Sequence, residues 1–271
     1  MSVTIALAGN PNCGKTTMFN ALTGANQYVG NWPGVTVEKK EGKLKNQKDV
    51  TVTDLPGIYS LSPYTLEEVV SRDYLLKEKP DVIIDLVDAT NIERNLYLAT
   101  QLLEIGIPVV IALNMVDLLK KNNIHINVKG LSSALGCPIV ETSALKGTGL
   151  KEVVDEAIKC ANQHRVPSKQ MEFPKAVEKA VNEIEGLVPV NISEENRRWY
   201  AVKLLERDSK VKEGLNLPAS AQSRIEEIAS ELEKAEDDDT ESIVTDGRYQ
   251  YIQKVVSANV KRSGNKMTVS D

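Results

Sequence analysis

Short apolar runs alternate with helical patterns along the first 161 residues of the chain. The apolar runs lie at 3–8, 50–53, 82–87, 109–113 and 139–140. Such runs are typical of strands that are covered on both faces, as in a parallel sheet. Between them, apolar residues recur at the spacing of one helix face, as in Leu96, Ala99 and Leu102. Because repeated strand–helix units require crossover connections, we predict an α/β fold with a doubly wound, mostly parallel sheet.

Residues 35–44 differ from these runs because they contain many charged side chains. A strand of this composition can bury one face only, and the other must meet solvent. We therefore predict that 35–44 forms an exposed strand at the edge of the sheet.

After Cys160 the pattern changes, because apolar residues recur only at helical spacing. The segment 162–172 is polar and is typical of a linker. Three apolar stripes follow it: Val177, Ala180, Val181, Ile184 and Leu187; Ile225, Ile228, Ala229 and Leu232; and Ile252, Val255, Val256 and Val260. A further short helix is expected around 199–205. We predict a first domain at 1–161, a small all-α domain without strands at 173–262 and a polar tail at 263–271.

The chain has 271 residues and a formal net charge of −5, and 41% of its residues are hydrophobic. This composition supports buried cores and disfavours a nucleic-acid binder, which needs a basic face. Cys13, Cys137 and Cys160 are isolated in the sequence, as expected of reduced thiols in the cytosol. Because no apolar run approaches the ~18 residues of a membrane helix, we expect this chain to be soluble.

A phosphate-binding motif follows the first predicted strand directly. It is Gly9-Asn10-Pro11-Asn12-Cys13-Gly14-Lys15-Thr16, which fits the pattern G-x-x-x-x-G-K-[ST] and is followed by Thr17. The glycines allow successive backbone N–H groups to point at phosphate oxygens, and the next helix adds its positive N-terminal end. We expect Lys15 to place its charge near the β- and γ-phosphates and Thr16 to offer a hydroxyl group to Mg²⁺.

Two further motifs follow later strands. Asp54 ends the second strand, where it can reach Mg²⁺ through a water molecule, and Gly57 can present its N–H group to the γ-phosphate. Asn114, Met115 and Asp117 follow the fourth strand. The carboxylate of Asp117 can accept hydrogen bonds from N1 and N2 of guanine, a pair of donors that adenine lacks.

A fourth element, Ser143, Ala144 and Leu145, follows the last strand, where its backbone can contact the guanine oxygen. Ligands of open α/β sheets bind at the carboxyl ends of the strands, and all four elements lie there. We therefore predict a P-loop GTPase that binds GTP, uses Mg²⁺ and hydrolyses GTP to GDP and phosphate.

Met115 departs from the common Asn-Lys-x-Asp pattern, because it replaces the lysine. The lysine stem normally covers the base, and Met can supply part of that cover without the charge. We therefore predict weak nucleotide affinity and fast GDP release, which stopped-flow measurement of GDP dissociation would test.

The position that holds a water-orienting glutamine in Ras-like proteins is Ile58, which cannot form a hydrogen bond with water. The chain therefore resembles the GTPases with a hydrophobic residue there, many of which rely on a monovalent cation. In those proteins an asparagine at the position of Asn12 ligates K⁺, and we favour this role over a purely structural one. The expected catalytic residues are then Asn12, Lys15, Thr36 and Gly57.

Residues 27–37 occupy the place of the first switch segment. We expect Thr36 to close on Mg²⁺ and the γ-phosphate, with Gly34 and Val35 beside the nucleotide. Backbone carbonyl groups near Gly30 and Trp32 can complete a K⁺ shell, although Trp32 fits a packing role equally well.

The segments 9–17, 30–38, 54–61 and 67–75 together resemble the family of bacterial ferrous iron transport protein B (FeoB). The resemblance covers the nucleotide-binding half, including the Asn-Met-x-Asp variant, and the second half is similar to the family's helical domain by position. It implies the cytosolic part of an iron transporter at the cytoplasmic face of the bacterial inner membrane. The partner it implies is the transporter's own membrane domain, which lies outside this sequence. It also implies that nucleotide-driven changes of two switch segments regulate Fe²⁺ uptake.

Glu67 and Glu68 have two interpretations. They follow Asp54 and Gly57 closely enough to help place a water molecule in the second switch segment. They equally fit first-turn acids at a helix N-terminus, which the helix dipole favours, and we prefer this second interpretation.

The sequence leaves two other functions open. A ribosome-assembly or tRNA-modifying GTPase shares the Asn12-type P-loop but usually carries a basic RNA-binding module. A nucleotide-sensing module with negligible turnover is the other, supported by Ile58 and opposed by Asn12. We expect no nucleic-acid partner, and the sequence leaves the oligomeric state open, including a homo-oligomer.

Overall fold

A computed structural model describes residues 2–25 and 27–262, so the predicted polar tail at 263–271 lies outside the described residues. The strands in chain order are β1 (Val3–Gly9), β2 (Gln27–Asn31), β3 (Glu38–Leu44), β4 (Gln47–Asp54), β5 (Val82–Asp88), β6 (Val109–Asn114), β7 (Ile124–Ile126), β8 (Ile139–Glu141) and β9 (Val260–Arg262). Seven of them form one sheet in the order β2-β3-β4-β1-β5-β6-β8, and β7 pairs with β9. In the large sheet β4, β1, β5, β6 and β8 are parallel, and β2 and β3 are antiparallel additions. The predicted doubly wound, mostly parallel α/β sheet is confirmed.

The helices divide between the two halves of the chain. Those of the first half are α1 (Lys15–Thr23), α2 (Leu66–Asp73), α3 (Ile92–Leu102), α4 (Val128–Leu135) and α5 (Leu150–Asn162). Those of the second half are α6 (Lys175–Glu185), α7 (Glu194–Leu205), α8 (Ser209–Leu215), α9 (Ala219–Glu236) and α10 (Thr240–Asn259). A helical region after the sheet is thus confirmed. Within residues 2–25 and 27–262, the helices all lack the combination of length and apolar character that a membrane span requires.

Helices cover both faces of the sheet, which explains why its inner strands are apolar throughout. On one face Ile5 packs in a core with Phe19 of α1 and Ala157 of α5. On the other face Ile83 belongs to a cluster that contains Leu98 of α3. This second cluster continues into the helical half, so the two halves share one apolar core.

The segment predicted as a linker is not loosely attached to the molecule. Met171, within this segment, and Phe173, directly after it, are buried, and Arg198 donates a hydrogen bond to the carbonyl oxygen of Met171 at 2.8 Å. The N–H group of Ser168 donates to the carbonyl oxygen of Gly136 at 2.9 Å. The domain boundaries given above stay a prediction, but this connection is packed against both halves.

The prediction of an edge strand at 35–44 is wrong in its start and its position. The strand β3 begins at Glu38, and β2 pairs along its outer side in antiparallel register, so β2 forms the edge. Val35 and Val37, which suggested a strand, pack against the core from an irregular segment instead. The segment that forms β2 contains Gly30 and has no apolar run, so sequence periodicity does not reveal it.

The prediction of a second half without strands is also wrong at its end. Val260 does not continue the predicted helical stripe but begins β9, which pairs antiparallel with β7. The N–H group of Asn127 also donates to the carbonyl oxygen of Asn259 at 2.7 Å. Three-residue strands such as these form because α10 packs on α3 and α4 and delivers residue 260 to β7.

Two buried ion pairs among the described residues join the halves. The guanidinium group of Arg72 in α2 lies 2.7 Å from a carboxylate oxygen of Asp208, and both side chains are 3% exposed. Arg248 of α10 binds Glu104, just after α3, at 2.7 Å, with both side chains 1% exposed. Buried charges need such partners because their desolvation is otherwise uncompensated.

Candidate nucleotide-binding site

The predicted motifs meet around one cavity of about 680 Å³ at the carboxyl ends of the strands. Its lining residues are Asn10, Pro11, Asn12, Gly14, Lys15, Thr16, Thr17, Gly57, Asn114, Met115, Asp117, Leu118, Ser143, Ala144 and Leu145. They come from the loops after β1, β4, β6 and β8, which are neighbours in the sheet or one strand apart. This is the position at which open α/β sheets bind their ligands.

The loop between β1 and α1 wraps tightly because two of its residues have left-handed backbone angles. Asn12 has φ 65° and Gly14 has φ 100°. A Cβ atom at Gly14 would lie 2.4 Å from Nδ2 of Asn114, so only glycine fits there. The loop leads directly into α1 at Lys15, and helix N-termini with free N–H groups are suited to phosphate.

Lys15 and Asp54 form a buried ion pair at the phosphate end of the cavity. The ammonium nitrogen of Lys15 lies 2.8 Å from Oδ1 of Asp54 and 2.6 Å from the carbonyl oxygen of Leu55. Thr16 is exposed at the cavity wall. The hydroxyl group of Thr16 and the carboxylate of Asp54 are the oxygen donors that Mg²⁺ prefers, so these residues fit the ion.

The segment after β4 lies against the phosphate-binding loop. The N–H group of Ile58 donates to the carbonyl oxygen of Gly9 at 3.2 Å. A Cβ atom at Gly57 would come within 3.1 Å of Cα of Pro11, which explains the glycine. The side chain of Ile58 is buried, and an apolar buried side chain cannot orient a water molecule.

The side chain of Asn114 forms hydrogen bonds with two loops of the cavity, the phosphate-binding loop and the loop after β8. Its Nδ2 donates to the carbonyl oxygen of Cys13 at 2.8 Å. Its Oδ1 accepts hydrogen bonds from the N–H group of Ala144 at 2.9 Å and from Oγ1 of Thr142 at 3.2 Å. One buried side chain therefore sets the spacing between two loops that line the cavity.

Asp117 lies at the end of the cavity that Asn114 connects to the phosphate loop. A hydrogen bond from Ser143 and the nearby ammonium group of Lys146 lower the pKa of Asp117, so its carboxyl group is ionised at neutral pH. The nitrogen of Lys146 is 3.4 Å from Oδ2 of Asp117. Met115 has a left-handed backbone with φ 65° and contributes apolar surface to the cavity wall.

The first switch segment stays outside the lining of this cavity. Thr36 and Gly34 are exposed, and Val35 packs against the apolar core. Trp32 is buried, with its ring 5.2 Å from that of Tyr74 and the ammonium group of Lys39 5.1 Å above it. The roles given to these residues and to Gly30 stay predictions, and each would require the segment to move.

Glu67 and Glu68 occupy the first turn of α2. Glu68 completes a capping box with Thr65, whose hydroxyl group accepts from the N–H group of Glu68 at 3.1 Å. The carboxylate of Glu68 also accepts a hydrogen bond from Ser60 at 2.9 Å. Glu67 is exposed, and neither side chain lines the cavity.

Sequence reasoning missed three residues near the site. Leu118 lines the cavity beside Asp117, and Lys146 contacts Asp117. The guanidinium group of Arg94 lies 4.5 Å from the ring centre of Tyr59, directly after Ile58. Lys146 had a detectable signal, since it is the first cation after the Ser143–Leu145 motif in a chain that lacks the usual lysine at position 115.

Two family models together match most of the chain. The model described as ferrous iron transport protein B matches residues 3–157, and the one described as the FeoB cytosolic helical domain matches residues 173–261. The Fe(2+) transporter FeoB of Escherichia coli (strain K12) is 41% identical over 263 residues, covering 93% of this chain and 33% of that protein. The Salmonella typhimurium transporter is 40% identical over the same shares. The chain thus spans about a third of the length of these curated relatives.

Solved structures of similar sequence share the fold. A GDP-bound mutant of the S. thermophilus FeoB G-domain has a TM-score of 0.92 and 47% identity, covering 96% of this chain and 100% of its own. NFeoB from S. thermophilus with mGMPPNP has a TM-score of 0.85 and 47% identity, covering 97% of this chain and 100% of its own. A mutant of that protein bound to GDP.AlF4- has a TM-score of 0.83 and 48% identity, covering 93% and 99%. Since the first family model alone matches more than half of the residues, the chain belongs to the FeoB family of ferrous iron transport proteins.

Proposed function

We propose that this chain binds GTP in the cavity at the carboxyl ends of the strands and hydrolyses it to GDP and phosphate. The observation that carries this proposal is the convergence of the phosphate loop, Gly57, Asp117 and Ala144 on one cavity. Complexes of similar S. thermophilus proteins with GDP, mGMPPNP and GDP.AlF4- support it.

Guanine selectivity follows from the chemistry of Asp117. Its ionised carboxylate lies at the opposite end of the cavity from Lys15 and can accept from two adjacent donors of guanine. Adenine would leave this carboxylate without those partners, and unpaired polar groups oppose binding strongly. The N–H group of Ala144 already donates a hydrogen bond to Asn114, so the role of Ala144 is to fix the loop around the base.

Thr16 and Asp54 are the residues that would hold Mg²⁺, with Thr36 joining when the first switch segment closes. The ion neutralises charge that develops on the phosphate oxygens. Lys15 would contribute a second positive charge from the phosphate loop once it exchanges its contacts with Asp54 and Leu55 for phosphate oxygens. The N–H group of Gly57 is held at the cavity wall by the packing of this segment on Pro11.

Asn12 is the residue that would hold K⁺, since its exposed amide lines the cavity and its backbone is already in the left-handed conformation. A bound K⁺ supplies positive charge to the phosphates. Ile58 supports this proposal because it offers no group to orient water. Gly30 and Trp32 would add carbonyl oxygens only after a rearrangement of the segment 27–37.

In the cell we propose that the chain acts as the cytosolic part of a ferrous iron membrane transporter, at the cytoplasmic face of the bacterial inner membrane. Its domains would be a G domain at 1–161, a linker at 162–172 and a helical domain at 173–262. The whole-length relatives, which are Fe(2+) transporters, support this proposal over a ribosome-assembly or tRNA-modifying GTPase. The pair Arg72–Asp208 offers a physical link from the second switch segment to the helical half. Through it, nucleotide-driven changes of the switch segments would regulate Fe²⁺ uptake.

Phosphate release from GTP and from ATP, each with Mg²⁺ and with EDTA, tests the proposed activity. We expect Mg²⁺-dependent release from GTP and at least a hundredfold slower release from ATP. Lys15→Ala should abolish turnover, and Lys151→Ala, which removes an exposed lysine of α5, should leave it unchanged. Equal rates with GTP and ATP, or full turnover in Lys15→Ala, would contradict the proposal. GTP binding without measurable turnover would instead favour a nucleotide-sensing module.

A further inference from the structure

We propose that Lys146 is a positioning residue for guanine recognition, and that its ammonium group holds the carboxylate of Asp117 toward the base. This inference rests on the proposed function, because it concerns the guanine end of the same cavity. It assigns to a residue after the Ser143–Leu145 motif the positive charge that Met115 does not supply.

The contact between the two side chains is direct. The nitrogen of Lys146 lies 3.4 Å from Oδ2 of Asp117. The side chain of Asp117 is 16% exposed and that of Lys146 is 60% exposed, so the pair lies at the rim of the cavity. Lys15, the single lysine among the described residues that line the cavity, binds Asp54 at the phosphate end. Lys15 is therefore already paired with a carboxylate other than that of Asp117.

The backbone of Lys146 is fixed relative to the cavity. Ser143 and Thr148 exchange two backbone hydrogen bonds of 3.1 Å, which close the loop that carries Lys146. The N–H group of Lys146 donates to the carbonyl oxygen of Ser143 at 3.1 Å. Ala144, in the same loop, is held by Asn114 at 2.9 Å. Only the flexible stem of Lys146 therefore has to be ordered for the contact with Asp117.

The physical effect expected of this contact is orientation of the carboxylate. Two hydrogen bonds from guanine require both oxygens of Asp117 to lie in the plane of the base, and charge-assisted bonds are stronger than neutral ones. An ammonium group beside Oδ2 restrains the rotation of the carboxylate. Met115, a thioether on a left-handed residue, provides apolar contact but no such restraint.

Because rim ion pairs are partly screened by solvent, we expect a modest effect, about two- to tenfold in Kd. The test measures the Kd of GDP by fluorescence titration for Lys146→Met and Lys146→Arg. Lys146→Met keeps the stem but removes the charge, and should raise the Kd by this factor. Lys146→Arg keeps the charge and should restore most of the affinity. Lys151→Met, which removes the exposed partner of Asp155, is the matched control and should change nothing.

A double-mutant cycle separates this role from general attraction of phosphate. Asp117→Asn presents an N–H donor in place of an acceptor, so it should bind XDP, whose base carries a carbonyl group at C2, better than GDP. In that background the ammonium group no longer has a carboxylate to hold, so Lys146→Met should change the Kd of XDP less than twofold. The inference is overturned if Lys146→Met leaves the Kd of GDP unchanged, or if it weakens XDP binding to Asp117→Asn equally. If Asp117→Asn fails to shift preference from GDP to XDP, the proposed base site itself is wrong.

Discussion

The side-chain amide of Asn114 donates a hydrogen bond of 2.8 Å to the carbonyl oxygen of Cys13, which links the end of β6 to the phosphate loop. The same side chain accepts from the N–H group of Ala144. The side chain of Asn114 thus sets the distance between the phosphate end and the base end of the cavity. A nucleotide bound as proposed would span both ends, so this spacing would decide whether phosphate and base are contacted together.

Replacement of Asn114 by Ala should therefore damage both stability and binding. The change leaves the carbonyl oxygen of Cys13 and the N–H group of Ala144 buried without a partner, which should lower the free energy of unfolding by about 2–4 kcal/mol. Chemical denaturation measures this loss of stability. The control is Asn122→Ala, a substitution in an exposed turn, for which the free energy of unfolding should change by less than about 0.5 kcal/mol. Equal stability of Asn114→Ala and the wild type would contradict the bridging role.

Replacement of Gly14 by Ala tests the close approach of the phosphate loop to Asn114. The added Cβ would lie 2.4 Å from Nδ2 of Asn114, so the loop must shift and GTP affinity should fall at least tenfold. Gly214→Ala in α8 is the control, because its Cβ would have no neighbour within 4 Å and the residue does not line the cavity. The GTP affinity of this control should stay unchanged. Similar affinities for GTP in the two variants would show that the contact with Asn114 is unimportant.

Asp85 should make the protein less stable as pH rises from about 4 to about 7. It is fully buried in β5, and burial raises the pKa of its carboxyl group from 3.8 to about 7. Because the folded pKa lies above the unfolded one, the stabilising contribution is complete below about pH 4 and is lost as pH rises to about 7. The loss amounts to at most about 4 kcal/mol.

Asp85→Asn removes this titration and provides the measurement. The free energy of unfolding is measured with urea at each pH for both proteins. The difference between them should shift in favour of the variant as pH rises from 4 to 8. The neighbouring thiols of Cys13 and Cys137 have raised pKa values through burial and stay neutral over this range. Parallel pH profiles for wild type and variant would mean that Asp85 does not titrate there.

The pair Arg72–Asp208 should be needed for the attachment of the helical half to α2. Asp208→Asn keeps the side-chain cap on the N–H group of Val211 but leaves the guanidinium group buried without its counter-charge. We expect a loss of about 3–5 kcal/mol in the free energy of unfolding. The control Glu183→Gln breaks an exposed pair with Arg224 and should cost less than about 1 kcal/mol. A loss as small as that of the control would argue against a role for the buried pair.

Much of the fold was predictable because it follows from local patterns of apolar and polar residues in the sequence. The strands β1, β5 and β6 are apolar on both faces, and their burial follows from helices that cover both sides of a parallel sheet. The cavity was predictable for a related reason, since each motif directly follows a strand whose carboxyl end lies at the same edge.

The features that were missed depend on contacts between distant residues. Arg72 and Asp208 are 136 positions apart, and neither sequence neighbourhood indicates the other. The strand β9 exists only because α10 carries Val260 to β7. The charge of Lys146 directly after the Ser143–Leu145 motif is visible in the sequence, but its contact with Asp117 follows only from the fold of the short loop that carries it.

The proposed GTP hydrolysis depends on K⁺ held by Asn12, because the buried Ile58 offers no group that could orient a water molecule. GTP hydrolysis with Mg²⁺ should be measured in K⁺ and in Na⁺ at equal ionic strength, for the wild type, Asn12→Ala and Asn12→Gly. The glycine variant removes the amide without straining the left-handed backbone at φ 65°. We predict faster turnover in K⁺ for the wild type and no such response in either variant. Equal rates in both salts for the wild type, or an intact K⁺ response in Asn12→Gly, would contradict the claim.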